Sequence, residues 1–136
     1  MHTLKQQIAR LGLAFGLFWV IVSSVAAETT QRSLDIYLFW AKGCPHCAEA
    51  IGFMRREVEK SPDVRVHYLE VTRNMGNRKA FSSLIGHFAI QRPGVPLTVI
   101  GERYVEGYDD DRTTGADIKT AIASCLASSC PDLVWP

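Results

Sequence analysis

Cys44-Pro45-His46-Cys47 constrains this chain more than any other stretch, because it dictates the backbone on both sides. Two thiols separated by two residues can close a disulfide across one helical turn, which would have Cys44 open a helix that Cys47 continues. Pro45 suits the first helical position, where its fixed φ and missing N–H cost nothing. Residues 34–40, Leu-Asp-Ile-Tyr-Leu-Phe-Trp, are rich in apolar and aromatic side chains and read as a buried strand, and Ala41-Lys42-Gly43 as a tight turn. Cys44 therefore falls where the turn meets a helix N-terminus. Unpaired N–H groups and the positive end of the helix dipole face its sulfur there, which favours the thiolate, the species that attacks disulfides. His46 can add an N–H donor or, when protonated, a charge. Each tenfold preference for the reduced form makes the disulfide about 30 mV more oxidising.

The same spacing serves half of a zinc site, so metal chemistry is the competing reading. In that reading Cys44 and Cys47 bind copper or zinc and deliver it to an acceptor, since thiolates suit both metals. The second half of such a site is missing. Cys125 and Cys130 have four residues between them rather than two, and no metal site is assigned.

Downstream, Cys47, Ile51, Met54 and Val58 fall at helical spacing, and Ser61-Pro62-Asp63 ends that helix. Val64, Val66 and Tyr68 alternate with Arg65 and His67, predicting a strand over about 64–71. Phe81, Leu84, Ile85 and Phe88 predict a helix over about 77–90, which Pro93-Gly94 terminates. Residues 97–100 and 103–108 flank Gly101-Glu102 as a hairpin. A last helix spans about 115–127, with Ile118, Ile122 and Cys125 on its apolar stripe. The order β-α-β-α-β-β-α predicts an α/β three-layer sandwich around a mixed four-stranded sheet, parallel in its first β-α-β unit.

The N-terminus reads as an export signal. Lys5 and Arg10 precede a nearly apolar run over residues 11–25, and Ala26-Ala27 then supply small residues for cleavage. The run of about 15 residues is shorter than the roughly 20 that span a bilayer, so cleavage after Ala27 is favoured over an N-terminal anchor. Residues 1–27 are accordingly a signal peptide and residues 28–136 one domain. Without Lys5 and Arg10, the 15 basic residues fall to 13 against 14 acidic ones, a formal charge of −1. That balance excludes a nucleic-acid partner of the basic-patch kind. An even number of cysteines leaving the cytoplasm, for the periplasm or another extracytoplasmic space, makes disulfides the default.

Phe39-Trp40-Ala41, then Cys44-Pro45-His46-Cys47, then Gly94-Val95-Pro96-Leu97-Thr98 together resemble the thioredoxin superfamily over roughly residues 33–127. The Pro-His pair is similar to exported DsbA-type oxidoreductases, and the short chain is closer to a glutaredoxin or minimal thioredoxin in size. The resemblance implies a protein thiol:disulfide oxidoreductase in which Cys44 attacks, Cys47 resolves and Pro96 is a cis-proline beside them. Val95 would offer its backbone to an extended substrate, as an added strand does. Pro45, His46 and Trp40 would tune the site. No diffusible cofactor is implied. The partners implied are exported protein substrates and a redox protein that resets the pair, with a membrane involved only if residues 1–27 stay attached. One departure stands out: thioredoxins carry a buried aspartate six residues before the first cysteine, and Leu38 occupies that position here. Asp35 is three residues away, on the opposite face of the strand, which leaves Glu49, Lys42 or water to take the Cys47 proton.

In a continuous helix Cys125 and Cys130 would lie about 7.5 Å apart along the axis, beyond the roughly 7 Å that a disulfide bridges. The helix must end between them for a bond to form, and Ser128-Ser129-Cys130-Pro131 offers that end. A structural staple, contributing about 2 kcal/mol by chain entropy, is favoured over a second redox pair or two free thiols. His67 and His87 read as surface or satisfied side chains. Asp109-Asp110-Asp111 reads as a solvated turn, since the spaced ligands of a calcium loop are absent.

Overall fold

The computed structural model describes residues 33–135, so the signal segment read at 1–27 lies outside the described residues. β1 (Leu34–Trp40) leads through a turn to α1 (Pro45–Phe53), which runs on as a π-helical turn, Met54–Val58. β2 (Val64–Glu70), α2 (Met75–His87), β3 (Leu97–Ile100), β4 (Arg103–Glu106) and α3 (Thr114–Ser128) follow in the expected order. The sheet runs β2-β1-β3-β4, with β1 and β2 parallel and the other two pairings antiparallel. It is the mixed four-stranded sheet of a thioredoxin-like α/β sandwich.

Strand alternation divides the core in two. Ile36 and Leu38 of β1 point to one face, where they meet Ala50 and Phe53 of α1, Met54 and Val58 of the π turn, and Ile118 and Ile122 of α3. Tyr37 and Phe39 point to the other face and meet Leu84 of α2, Leu97 and Val99 of β3, and Val134 of the C-terminal segment. Burying each large apolar side chain of this kind contributes roughly 1.5–3 kcal/mol. Helices thus cover both faces of β1.

Three boundaries move by two or more residues for local reasons, and the largest is the end of α2, at His87 rather than about 90, where Ala89 takes φ +52°. α2 begins two residues earlier than the apolar pattern predicts, because the Asn74 side chain accepts the Asn77 N–H at 3.0 Å and caps the helix. β4 stops at Glu106 rather than 108, where Gly107 takes φ +72° and turns the chain. Among the described residues, no helix is long and apolar enough to cross a membrane.

Candidate active site

Phe39 at the end of β1 pairs with Leu97 at the start of β3, so the chain leaving β1 and the chain entering β3 lie side by side. From β1, Ala41 to Cys44 form a turn closed by the Cys44 N–H on the Ala41 carbonyl at 3.3 Å. Gly43 holds φ +82° in it, the value that the third residue of a type II turn requires. Cys44 caps α1, and its sulfur accepts the Cys47 N–H at 3.1 Å. Pro45 occupies the first turn. Cys44 and Cys47 are disulfide-bonded, with Cα atoms 5.2 Å apart.

The two sulfurs differ in access. Cys47 is 1% exposed and belongs to the core, whereas Cys44 is half-buried at the surface. The Val95–Pro96 peptide bond is cis, and the Val95 carbonyl oxygen lies 3.8 Å from the Cys44 sulfur. Pro96 is buried and half-buried Val95 precedes it, while the Pro96 carbonyl accepts the Gly107 N–H at 2.8 Å, tying the loop to the end of β4. The Val95 main chain therefore borders the Cys44 sulfur.

His46 is exposed, with Nδ1 3.6 Å from the Glu49 carboxylate, so Glu49 is engaged with the histidine. Lys42 is exposed on the turn. Leu38 is wholly buried among apolar side chains. Asp35 sits on the other face, bonded to His67 Nε2 at 2.6 Å and Arg65 at 3.4 Å. Trp40 is half-buried and accepts the Val71 N–H through its carbonyl at 3.0 Å. Its indole Nε1 is enclosed without a hydrogen-bond partner among the described residues.

On the flank of α1 a groove of about 410 Å³ runs from Ala48 past Arg56 to the 109–112 turn. Asp110 accepts the Arg112 and Thr113 N–H groups at 2.7 and 2.8 Å and so orders the entry to α3. Those bonds, the Thr113 N–H first, hold its carboxyl below the ordinary value. Asp111 accepts the Tyr108 hydroxyl at 2.5 Å and pairs with Arg56 at 3.2 Å, and the Tyr108 bond chiefly lowers its carboxyl in turn. The acidic run is therefore a hydrogen-bonded turn. Among the described residues, no group of three or more His, Cys, Asp or Glu side chains is arranged to hold a metal ion.

Cys125 and Cys130 form a second disulfide, with Cα atoms 5.1 Å apart, and α3 ends between them at Ser128. Sequence reasoning missed the role of the C-terminal residues beyond this bond. Asp132 accepts the Tyr37 hydroxyl at 2.5 Å and the Val134 and Trp135 N–H groups at 2.9 Å each. Burial works to raise the Asp132 carboxyl, and these donors outweigh it and hold it below its ordinary value. Tyr37 also stacks on His67, ring centres 4.9 Å apart. An aspartate two and three residues ahead of apolar Val134 and Trp135 was the only signal in the sequence, an Asx-type turn.

No family model matches the chain, and no curated protein matches it. Among solved structures it is similar to the glutaredoxin (grx-1) of Archaeoglobus fulgidus, at 22% identity and TM-score 0.43, covering 60% of this chain and 84% of that one. The holo form of glutaredoxin C1 from Populus tremula x tremuloides is 16% identical with TM-score 0.47, over 74% of this chain and 85% of that one. The dithiolic glutaredoxin 2-C-Grx1 of Trypanosoma brucei brucei is 19% identical with TM-score 0.45, over 68% of this chain and 87% of that one.

Proposed function

We propose that this chain is a thiol:disulfide oxidoreductase that exchanges disulfides with exported proteins outside the cytoplasm. The carrying observation is the asymmetry of the Cys44–Cys47 pair: one sulfur at the surface on a helix N-cap, the other buried behind it. In the oxidising direction, a substrate thiolate attacks the Cys44 sulfur and expels Cys47 as a thiolate. A second substrate thiol then attacks the mixed disulfide and expels Cys44. In the reducing direction Cys44 attacks and Cys47 resolves. The Cys47 N–H aimed at the Cys44 sulfur stabilises the thiolate in both directions.

Cys44 is the attacking thiol and Cys47 the resolving one. Val95 offers its carbonyl to the bound chain, and Pro45, His46 and Trp40 shape the surface around the sulfur. Cys125 and Cys130 act as a structural staple. The leader pattern at residues 1–27 and the even number of cysteines support an extracytoplasmic place of action, where a separate redox protein resets the pair.

The test is turnover of insulin disulfides and oxidation of a dithiol peptide, each by wild type and by Cys44→Ser. Loss of both activities in the variant is expected, and retained exchange would sink the reading. The reduction potential of the pair then sets direction: a value near about −270 mV marks a reductase and one well above it an oxidase. Fractionation of cells expressing the full chain tests export.

A further inference from the structure

The two disulfides sit at opposite kinds of helix end. Cys44 caps the N-terminus of α1, with the Cys47 N–H on its sulfur at 3.1 Å. Cys125 lies in the last turn of α3, and Cys130 comes two residues after that helix ends. The dipole favours a thiolate at the first place and opposes one at the second. Two carboxylates, Asp132 and the Asp35 that pairs with Arg65 and His67, line the cavity of about 520 Å³ that Cys125 and Cys130 also line. A site that stabilises its thiolate makes an oxidising disulfide, and a site that opposes it makes a disulfide that resists reduction.

Packing widens the gap. The Cys125–Cys130 bond starts the segment whose Asp132 holds Tyr37 and whose Val134 enters the core. By reciprocity, the docking of that segment stabilises the bond as much as the bond stabilises the docking. Electrons should therefore run from a Cys125/Cys130 dithiol to a Cys44–Cys47 disulfide.

That transfer cannot occur within one folded chain. Cys44 lies beyond the last residue of β1, whereas Ser33, Leu34 and Asp35 at its start wall the Cys125–Cys130 cavity. The strand between them spans about 20 Å at roughly 3.3 Å per residue. We propose that a second copy of this chain, with Cys125 and Cys130 still as thiols, is a substrate of the Cys44–Cys47 disulfide. This rests on the oxidoreductase reading above and adds a specific substrate to it.

The step balances without another reagent. The half-buried Cys130 of the reduced copy attacks, as thiolate, the accessible Cys44 sulfur of the oxidised copy, breaking Cys44–Cys47 and releasing Cys47 as a thiolate that takes up a proton. Cys125 of the reduced copy, as thiolate, attacks the Cys130 sulfur and releases Cys44. Two electrons and two protons pass to the Cys44/Cys47 dithiol, and Cys125–Cys130 is formed.

The experiment mixes unlabelled wild-type protein, fully oxidised, with an isotope-labelled Cys44→Ser, Cys47→Ser variant that has been reduced and desalted without oxygen. Alkylation and intact-mass analysis count thiols on each. The expected result is a two-for-two exchange, with a rate proportional to wild-type concentration and an equilibrium at least tenfold toward the oxidised variant, which corresponds to about 30 mV. Thiols that stay on the variant, or an equilibrium lying the other way, overturn the proposal. A reduced dithiol peptide in a parallel tube separates the cases. If the peptide is oxidised and the variant is not, self-oxidation alone falls; if neither is oxidised and the wild type does not reduce insulin disulfides either, the oxidoreductase reading falls with it.

Discussion

At Gly43 the backbone takes φ +82°, and nothing lies within 4 Å of where a Cβ would stand. Space is therefore no obstacle to a side chain, but the left-handed conformation is. Gly43→Ala is expected to lower stability by about 1–2 kcal/mol, read by urea unfolding, and to slow exchange by shifting the cap on which Cys44 sits. An unchanged midpoint and unchanged activity would refute that account of the turn. The paired cysteines separate by role: Cys47→Ser should accumulate a mixed disulfide between Cys44 and a substrate on non-reducing gels, while Cys44→Ser should accumulate none. Leu38 marks what was legible and what was not. The residue types show that position 38 holds no carboxylate, and the structure adds that Leu38 is packed among apolar side chains. Asp35 was readable as facing away from the alternation of β1, but its pairing with His67 was not, because strand register joins them across 32 residues.

Elements carry their own tests. The loop from β2 to α2 is organised by the Glu70 carboxylate, which accepts the Thr72 hydroxyl and the Thr72 and Arg73 N–H groups, the latter two at 2.9 and 2.8 Å. The Thr72 hydroxyl is the largest cause, and with the backbone donors it outweighs burial and holds the Glu70 pKa at about 2 against an ordinary 4.5. A pKa lower in the folded state means that the loop is fully supported above about pH 4.5 and loses that support as pH falls through about 2. A carboxyl NMR titration should give a midpoint near 2; one near 4 would remove the charge-stabilised loop. Between helices, a Cβ on Gly115 of α3 would stand 2.7 Å from the Phe53 ring of α1. Gly115→Ala should therefore cost about 1–3 kcal/mol by overpacking, measured by thermal or urea unfolding. Element order was legible because apolar periods of two and of 3.6 alternate clearly along the chain. The start of α2 was less so, since its first residues, Met75 and Gly76, lie outside any buried stripe and only the Asn74 cap announces them.

Across the whole molecule, β1 is the axis: it joins both cores, one end leads into the turn that carries Cys44, and the other lines the cavity beside Cys125–Cys130. The segment after α3 closes the α2 face through Tyr37 and Asp132, contacts distant in sequence and invisible to any local pattern. Tyr37→Phe removes the hydroxyl that Asp132 accepts and leaves the ring in place. Amide exchange at Val134 and Trp135 should then rise at least several-fold while exchange in α1 stays unchanged; uniform protection would show that the segment is held by packing alone. The π turn at Met54–Val58 has a different kind of consequence. There the Glu59 N–H reaches back five residues to the Met54 carbonyl at 2.9 Å, so the helix holds one residue more than its rise requires. A residue lost from this turn should restore ordinary helical spacing between Phe53 before it and Val64 after it. In the descent of chains like this one, single-residue gains and losses should collect at 54–58, where length is free to vary, and spare β1, where one residue would exchange the two cores.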